Sequence, residues 1–337
     1  MMATNNDIKY ISFTFENEEQ RDISPNDFEV EITELDKYKI AEYKFNNTLY
    51  DLIPEFNAEF TDYTYEDVVD GEVTTRTIYS DSLPTLMRFG SSAGAAVNST
   101  DSLLEINELN TSNVTDMSYM FSYCRNLTLL DASNFDTSNV TNMFGTFYDC
   151  ESLTTLDLSN WDTSKVENMD WMFGFYDDAE DTMMLTSIIG LENFDTSNVT
   201  TMEGMFCHCR NLTLLDVSNF NTSNVTSMAF MFRSNESLTE LDVSNWDTSN
   251  VTTMQEMFLN CKLLTTIDLS NFDTSKVENM YAMFAYCNAL TSVGDLSNWD
   301  TSNVTTMCAM FYNCYSLTSI DVSNFDTKNV TNMYGMF

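Results

Sequence analysis

Proline is nearly missing from this chain of 337 residues, and all three copies, Pro25, Pro54 and Pro84, precede residue 100. Beyond that point nothing interrupts a repeated backbone hydrogen-bond pattern. Histidine is rarer still: the single His208 removes the usual general acid-base group, and no nucleophile, base and orienting group share a workable spacing. The sequence is therefore not expected to be an enzyme. Basic residues are also scarce, 14 Lys and Arg against 52 Asp and Glu, for a formal charge of −38. Such a field repels phosphate backbones and anionic lipid, so nucleic acid is not an expected partner. No stretch approaches the roughly 20 apolar residues of a membrane span, so membrane insertion is not expected. The opening MMATNNDIKY lacks the basic start and apolar core of a secretory signal. Export by another route, or prior removal of a leader, is the corresponding expectation.

What the chain does have is a repeat. Val-x-x-Met-x-x-Met-Phe recurs nine times between Val114 and Phe337, broken only by Thr146 in the second copy. The first methionines, Met117, Met143, Met169, Met202, Met228, Met254, Met280, Met307 and Met333, step mostly by 26 residues, with one step of 33 and one of 27. A period of this length predicts stacked turns that share one core. Within a turn, Leu127, Leu130 and Ala132 have strand-like spacing, whereas Met254, Met257, Phe258 and Cys261 fall at i, i+3, i+4 and i+7, one face of a short helix. The residues before the methionines, Asp116, Asn142, Asn168, Thr201, Ser227, Thr253, Asn279, Thr306 and Asn332, are all preferred N-caps. Around Val166 and Val277 both flanks change together, to Lys165 and Glu167 and to Lys276 and Glu278, which predicts extended backbone with the valine inward.

The strings LTTLDLSNWDTSKVENM, LTELDVSNWDTSNVTTM and LTTIDLSNFDTSKVENM resemble the BspA-type leucine-rich-repeat surface proteins of bacteria, in the repeat form of low-GC Gram-positive bacteria and mycoplasmas, over roughly residues 101–337. The expected fold class is accordingly α/β: a leucine-rich-repeat-like solenoid of about nine 26-residue turns, a strand plus a short helix in each, preceded by a small β-rich N-terminal domain. The corner that holds asparagine in an ordinary leucine-rich repeat holds Phe135, Trp161, Phe194, Phe220, Trp246, Phe272, Trp299 or Phe325, which predicts an aromatic stack.

Three regions follow: a β-rich docking domain at 1–88, a linker or entry loop at 89–102, and the solenoid at 103–337. The first contains the alternating segments IKYISFTFE, FEVEITEL and KIAEYKFN, and a hairpin expected to turn at Asp70-Gly71. Six cysteines, Cys124, Cys150, Cys209, Cys261, Cys287 and Cys314, share one position and predict a column of buried thiols, with Cys207 and Cys308 off it and exposed. No metal site is expected, and Cys207-His208-Cys209 lacks a second pair to close one.

The candidate partner-binding residues are acidic. Asp131, Asp157, Asp216, Asp242, Asp268 and Asp321 follow the second strand residue and should form an outward stripe. A second column, Asp136, Asp162, Asp195, Asp247, Asp273, Asp300 and Asp326, is expected to bond its own turns. No cofactor is required. Calcium between the columns is the one candidate, although no glycine-rich calcium repeat is present. The 33-residue step carries an acidic insertion, whose Asp177, Asp178, Glu180 and Asp181 form a candidate binding loop. LTSIIGLENF and LTSVGDLSNW each add one residue beside a glycine, and a bulge is expected in both.

The expected function is non-enzymatic binding or adhesion on an exterior surface. The repeats would meet a protein or glycan on a cell surface, and the N-terminal domain would dock into a larger assembly. A phage virion protein of tail, baseplate or capsid fits the missing leader, with virion surface as its location. The alternatives are a bacterial cell-surface adhesin without its leader and a purely structural spacer.

Overall fold

The computed structural model describes residues 37–47, 52–90, 100–175 and 183–337. Its strands are β1 (Tyr38–Asn46), β2 (Glu55–Phe56), β3 (Tyr63–Asp70), β4 (Val73–Ser80), β5 (Met87–Arg88), β6 (Leu103–Leu109), β7 (Leu129–Leu130), β8 (Thr155–Asp157) and β9 (Ser187–Ile189). One open sheet has the order β3-β4-β1-β6-β7, and β2-β5 and β8-β9 form pairs of their own. Strand β1 is antiparallel to both β4 and β6, and β6 is parallel to β7. The alternation in KIAEYKFN places Tyr43 and Phe45 in the core. The hairpin β3-β4 turns one residue later than the sequence suggested, at Gly71 and Glu72, with Gly71 at φ 62 as a two-residue hairpin loop requires. Buried Arg76 on β4 is held by Asp67 at 2.7 Å and by the Leu52 carbonyl at 3.0 Å. IKYISFTFE and FEVEITEL lie outside the described residues.

The leucine-rich-repeat-like α/β solenoid is overturned. Among the described residues there is no α-helix, only the 3-10 turns Thr100–Ser102 and Leu191–Asn193, and no strand-plus-helix unit recurs. The architecture is β throughout, built from short sheets, tight turns and single bridges. The reason lies in the spacing i, i+3, i+4, i+7, which two consecutive four-residue turns reproduce as well as a helix does. Met120 N–H donates to the Met117 carbonyl (3.1 Å) and Cys124 N–H to the Phe121 carbonyl (3.0 Å). The third residue of each turn is left-handed, Tyr119 at φ 58 and Tyr123 at φ 61, as in type II turns. The first of these left-handed positions recurs in all nine repeats, as Tyr119, Gly145, Trp171, Gly204, Phe230, Glu256, Ala282, Ala309 and Gly335.

The backbone accounting explains why turns win over helix. In a helix every N–H would be consumed locally. Here alternate amides close the turns, and the others reach the next repeat: Met117 to Asn142, Tyr119 to Phe144, Phe121 to Thr146 and Tyr123 to Tyr148, at 2.7–2.9 Å. The residues expected as N-caps form one column of parallel bridges instead, running Asp116, Asn142, Asn168, Thr201, Ser227, Thr253, Asn279, Thr306 and Asn332. Except at Thr201, where Asp170 takes the Glu203 N–H, their side chains accept the N–H two residues on, as Asp116 does from Ser118 at 2.8 Å and Asn279 from Tyr281 at 2.9 Å. The repeat's residues are the ones expected, but their role is to cap a turn and bridge to the neighbour.

Stacked side chains fill the interior. Phe121, Phe147, Phe173, Phe206, Phe232, Phe258, Phe284 and Phe311 run as one column with ring centroids 5.3–5.8 Å apart. At the corner, Phe135 stacks on Trp161 and Trp299 on Phe325, both at 6.1 Å, and Trp161, Trp246 and Trp299 donate Nε1–H to carbonyls of the preceding repeat at 3.1–3.2 Å. The segment before the repeats joins the stack as well. Leu86 bridges Asp116, Phe89 N–H donates to the Met120 carbonyl at 2.7 Å, and Phe89 stacks on Phe121 at 6.1 Å. A Cβ at Gly90 would lie 2.3 Å from the Tyr119 carbonyl oxygen, so glycine is what allows this approach.

Candidate functional site

The wall carrying the methionines is bonded at every step, but the wall carrying the leucines is not. Strand pairing occurs there between β6 and β7 and between β8 and β9, and a single bridge joins Thr266 to Ser292. Two of these three contacts involve the repeats lengthened by one residue. The extra residue, with Gly190 at φ 96 and Gly294 at φ 82, folds the segment back onto its predecessor, so that Leu158 N–H reaches the Ile189 carbonyl and Leu269 N–H reaches the Val293 carbonyl. The expected bulges are thus left-handed glycine corners.

Between the two lengthened repeats the wall opens. Among the described residues, no backbone hydrogen bond joins the segment 213–217 to 239–243, or 239–243 to 265–269. A groove of about 830 Å³ occupies this opening. Leu215, Leu241 and Ile267 form its buried floor, and Leu214, 65% exposed, forms an apolar lip. Asp216, Asp242 and Asp268 edge it, Asp295 lies at the far end, and no basic residue lines it.

These aspartates belong to the stripe read from the sequence, and all six of its members, Asp131, Asp157, Asp216, Asp242, Asp268 and Asp321, are exposed. Each Oδ1 accepts the N–H of the serine two residues on, at 2.9–3.1 Å. Those bonds orient the carboxylates. The Ser159, Ser244, Ser270 and Ser323 hydroxyls and amides accordingly hold Asp157, Asp242, Asp268 and Asp321 below the ordinary aspartate pKa. Only Asp216, Asp242 and Asp268 of the six line the groove. The candidate loop residues Asp177, Asp178, Glu180 and Asp181 lie outside the described residues.

The second acidic column also bonds its own turns: Asp136 accepts from Ser138 N–H at 3.1 Å, and Asp162 from Ser164 N–H at 3.0 Å. Beside it runs a ladder that the hydrophobic pattern missed. Thr137 Oγ1 accepts from Asp162 N–H at 2.8 Å and donates to the Asp162 carbonyl at 3.0 Å, and Thr111, Thr163, Thr196, Thr222, Thr248, Thr274 and Thr301 are buried at the same position. The signal was present as a recurring threonine in the aromatic-Asp-Thr string, with Leu-Asn-Thr at Thr111 and Phe-Asn-Thr at Thr222.

All eight cysteines are free. The thiols of Cys150, Cys261, Cys287 and Cys314 donate to the phenylalanine carbonyl of the preceding repeat at 3.0–3.1 Å, and Asn235 substitutes with an amide donor at 2.8 Å. Burial pushes the Cys261 thiol up to about 12. Contrary to expectation, Cys207 and Cys308 are buried too. Among the described residues no group of three or more His, Cys, Asp or Glu is placed to hold a metal ion, and no helix is long and apolar enough to cross a membrane.

A family model described as Mycoplasma protein of unknown function, DUF285, matches residues 92–181, 175–293 and 264–337. That match replaces the likeness to BspA-type leucine-rich-repeat proteins, whose strand-helix unit does not occur among the described residues. No curated protein and no solved structure matches the chain.

Proposed function

From a chain that belongs to the DUF285 family of mycoplasma proteins of unknown function, we propose a non-catalytic binding protein, displayed on an exterior surface, that engages its partner through the opened leucine wall. The observation that carries this reading is the groove itself, with its apolar floor, exposed Leu214 and rim of aspartates fixed in orientation by their serines. Fixed carboxylates beside exposed apolar surface favour recognition, because little side-chain order remains to be lost on binding. The larger part of the stack serves as a rigid frame that holds this opening in place.

The test is binding of fluorescently labelled protein to intact bacterial cells and to their isolated envelopes, with Leu214→Glu as the comparison. Saturable binding that the variant loses supports the proposal; absence of binding, or equal binding by the variant, overturns it. Exterior display, as on a virion or a cell envelope, is tested by immunogold microscopy of the native source with antibody against residues 101–337. Gold confined to the cell interior would exclude it.

A further inference from the structure

We propose that the occupant of the groove is an extended basic and apolar segment of a partner protein, laid across the repeats; this rests on the binding role proposed above. Three features of the groove converge on that chemistry. The first is backbone: 213–217 and 239–243 make no backbone hydrogen bond with each other, and 265–269 is bonded only on its far side, to 291–293, so the peptide groups that face the opening lack the neighbour that β6 and β7, or β8 and β9, provide. An extended peptide carries a main-chain donor and acceptor at every residue and is narrow enough to enter such an opening, whereas a compact domain is not.

The second feature is apolar. Leu214, on the lip, remains 65% exposed while Leu215 beneath it is buried, so one apolar side chain at the start of the groove is left for a partner to cover, its place being taken by Glu240 and Thr266 in the next two repeats. The third is charge. Asp216, Asp242 and Asp268 occur once per repeat along the rim, Glu240 and Asp295 add to them, and no lysine, arginine or histidine balances the lining. Adjacent β-like levels are about 4.8 Å apart or more where the wall opens, so the crossing is at least about 14 Å, the reach of five extended residues. A segment alternating lysine or arginine with leucine-sized side chains meets the acidic rim and the apolar lip and floor.

The lengthened repeats set the limits of the site. Gly190 and Gly294 mark the two levels that fold back onto their predecessors, and the groove lies between these levels. This separates the groove from the diffuse negative field of the whole chain and makes the inference testable.

Isothermal titration of the full chain with a capped seven-residue lysine-leucine peptide provides the measurement, with a glutamate-leucine peptide as its control. The expected result is 1:1 binding of the basic peptide only, weakened at least tenfold by Asp242→Asn with Asp268→Asn, since an asparagine Oδ1 still accepts the serine N–H. Asp131→Asn with Asp157→Asn removes equal charge beside the paired strands and should weaken binding less than twofold. Equal losses in the two double variants would mean diffuse attraction and overturn the proposal, as would failure of the peptide to bind. Unchanged thermal melting of both variants confirms that folding is not what is being read. Surface binding that depends on Leu214 without peptide binding would sink this inference and leave the proposed function intact; peptide binding with surface binding indifferent to Leu214 would do the reverse.

Discussion

The left-handed residues carry the main local strain. A non-glycine residue in that region costs about 1–2 kcal/mol, yet tyrosine, tryptophan, phenylalanine, glutamate and alanine occupy the first such position in six of nine repeats. Each is held because its N–H, as at Tyr119 to Phe144, has a carbonyl waiting in the next repeat. Ala309→Gly should relieve this strain and stabilise the protein slightly, by about 0.5–1 kcal/mol. Gly204→Ala should destabilise by about 1–3 kcal/mol, since its Cβ would lie 2.4 Å from the Trp171 ring. Urea unfolding of the two variants checks both signs. Asp170 gives a pH-dependent test. Burial, reinforced by the charge of Glu203, raises its pKa to about 6, against bonds from Thr201 and Glu203 N–H that lower it. The folded state therefore binds the proton more tightly than the unfolded state, so this group's contribution to stability falls as pH rises from about 4 to about 6. Asp170→Asn should raise Tm relative to the parent near pH 7, and the gap should shrink towards zero below about pH 4. Melting curves across that range decide it.

At the level of elements, the spacing of Met254, Met257, Phe258 and Cys261 correctly marked four inward positions but could not distinguish a helix from paired type II turns. Side-chain periodicity reports direction only. The discriminating information was the partner of each amide, which lies one repeat away. Glycine at Gly145, Gly204 and Gly335, every time three residues after the bridging residue, was the available hint of a left-handed position. The acidic stripe was legible as a surface feature, because alternation fixes which side chains point outward. Which of its aspartates share a groove was not, since that depends on where backbone bonds between repeats are absent. The cysteine column was legible as buried at five of its six members, Cys314 being half-buried, and the consequence is chemical inertness. With the Cys261 thiol raised to about 12 and Cys150, Cys209 and Cys287 raised by the same burial, iodoacetamide at pH 8 should leave these four native thiols unmodified and label them rapidly in urea. Rapid labelling of native Cys261, read by mass spectrometry, would contradict the packing described above.

For the whole molecule, the dominant quantity is the charge of −38. The few bases are placed between repeats, as Arg125 with Asp149 and Arg233 with Glu256, both at 2.7 Å, and Lys262 with Glu236 at 2.6 Å. Most of the acidity is left unneutralised along a stack whose repeats follow at β-like spacing. Raising sodium chloride from 0.1 to 1 M shortens the screening length from about 10 to about 3 Å. Tm should rise over that range, and a fall in Tm would mean that the interrepeat ion pairs outweigh the general repulsion.

The docking of Phe89 and Gly90 onto the first repeat has a consequence for synthesis. On the methionine wall the amides from the first methionine onward that leave their own turn donate forward, from Met117 to Asn142 and from Tyr119 to Phe144, as Phe89 does to Met120. A nascent chain leaving the ribosome therefore exposes a finished template before each new repeat arrives, and the first template, residues 85–90, emerges before any repeat exists. Assembly is vectorial, each level being cast on the one already made.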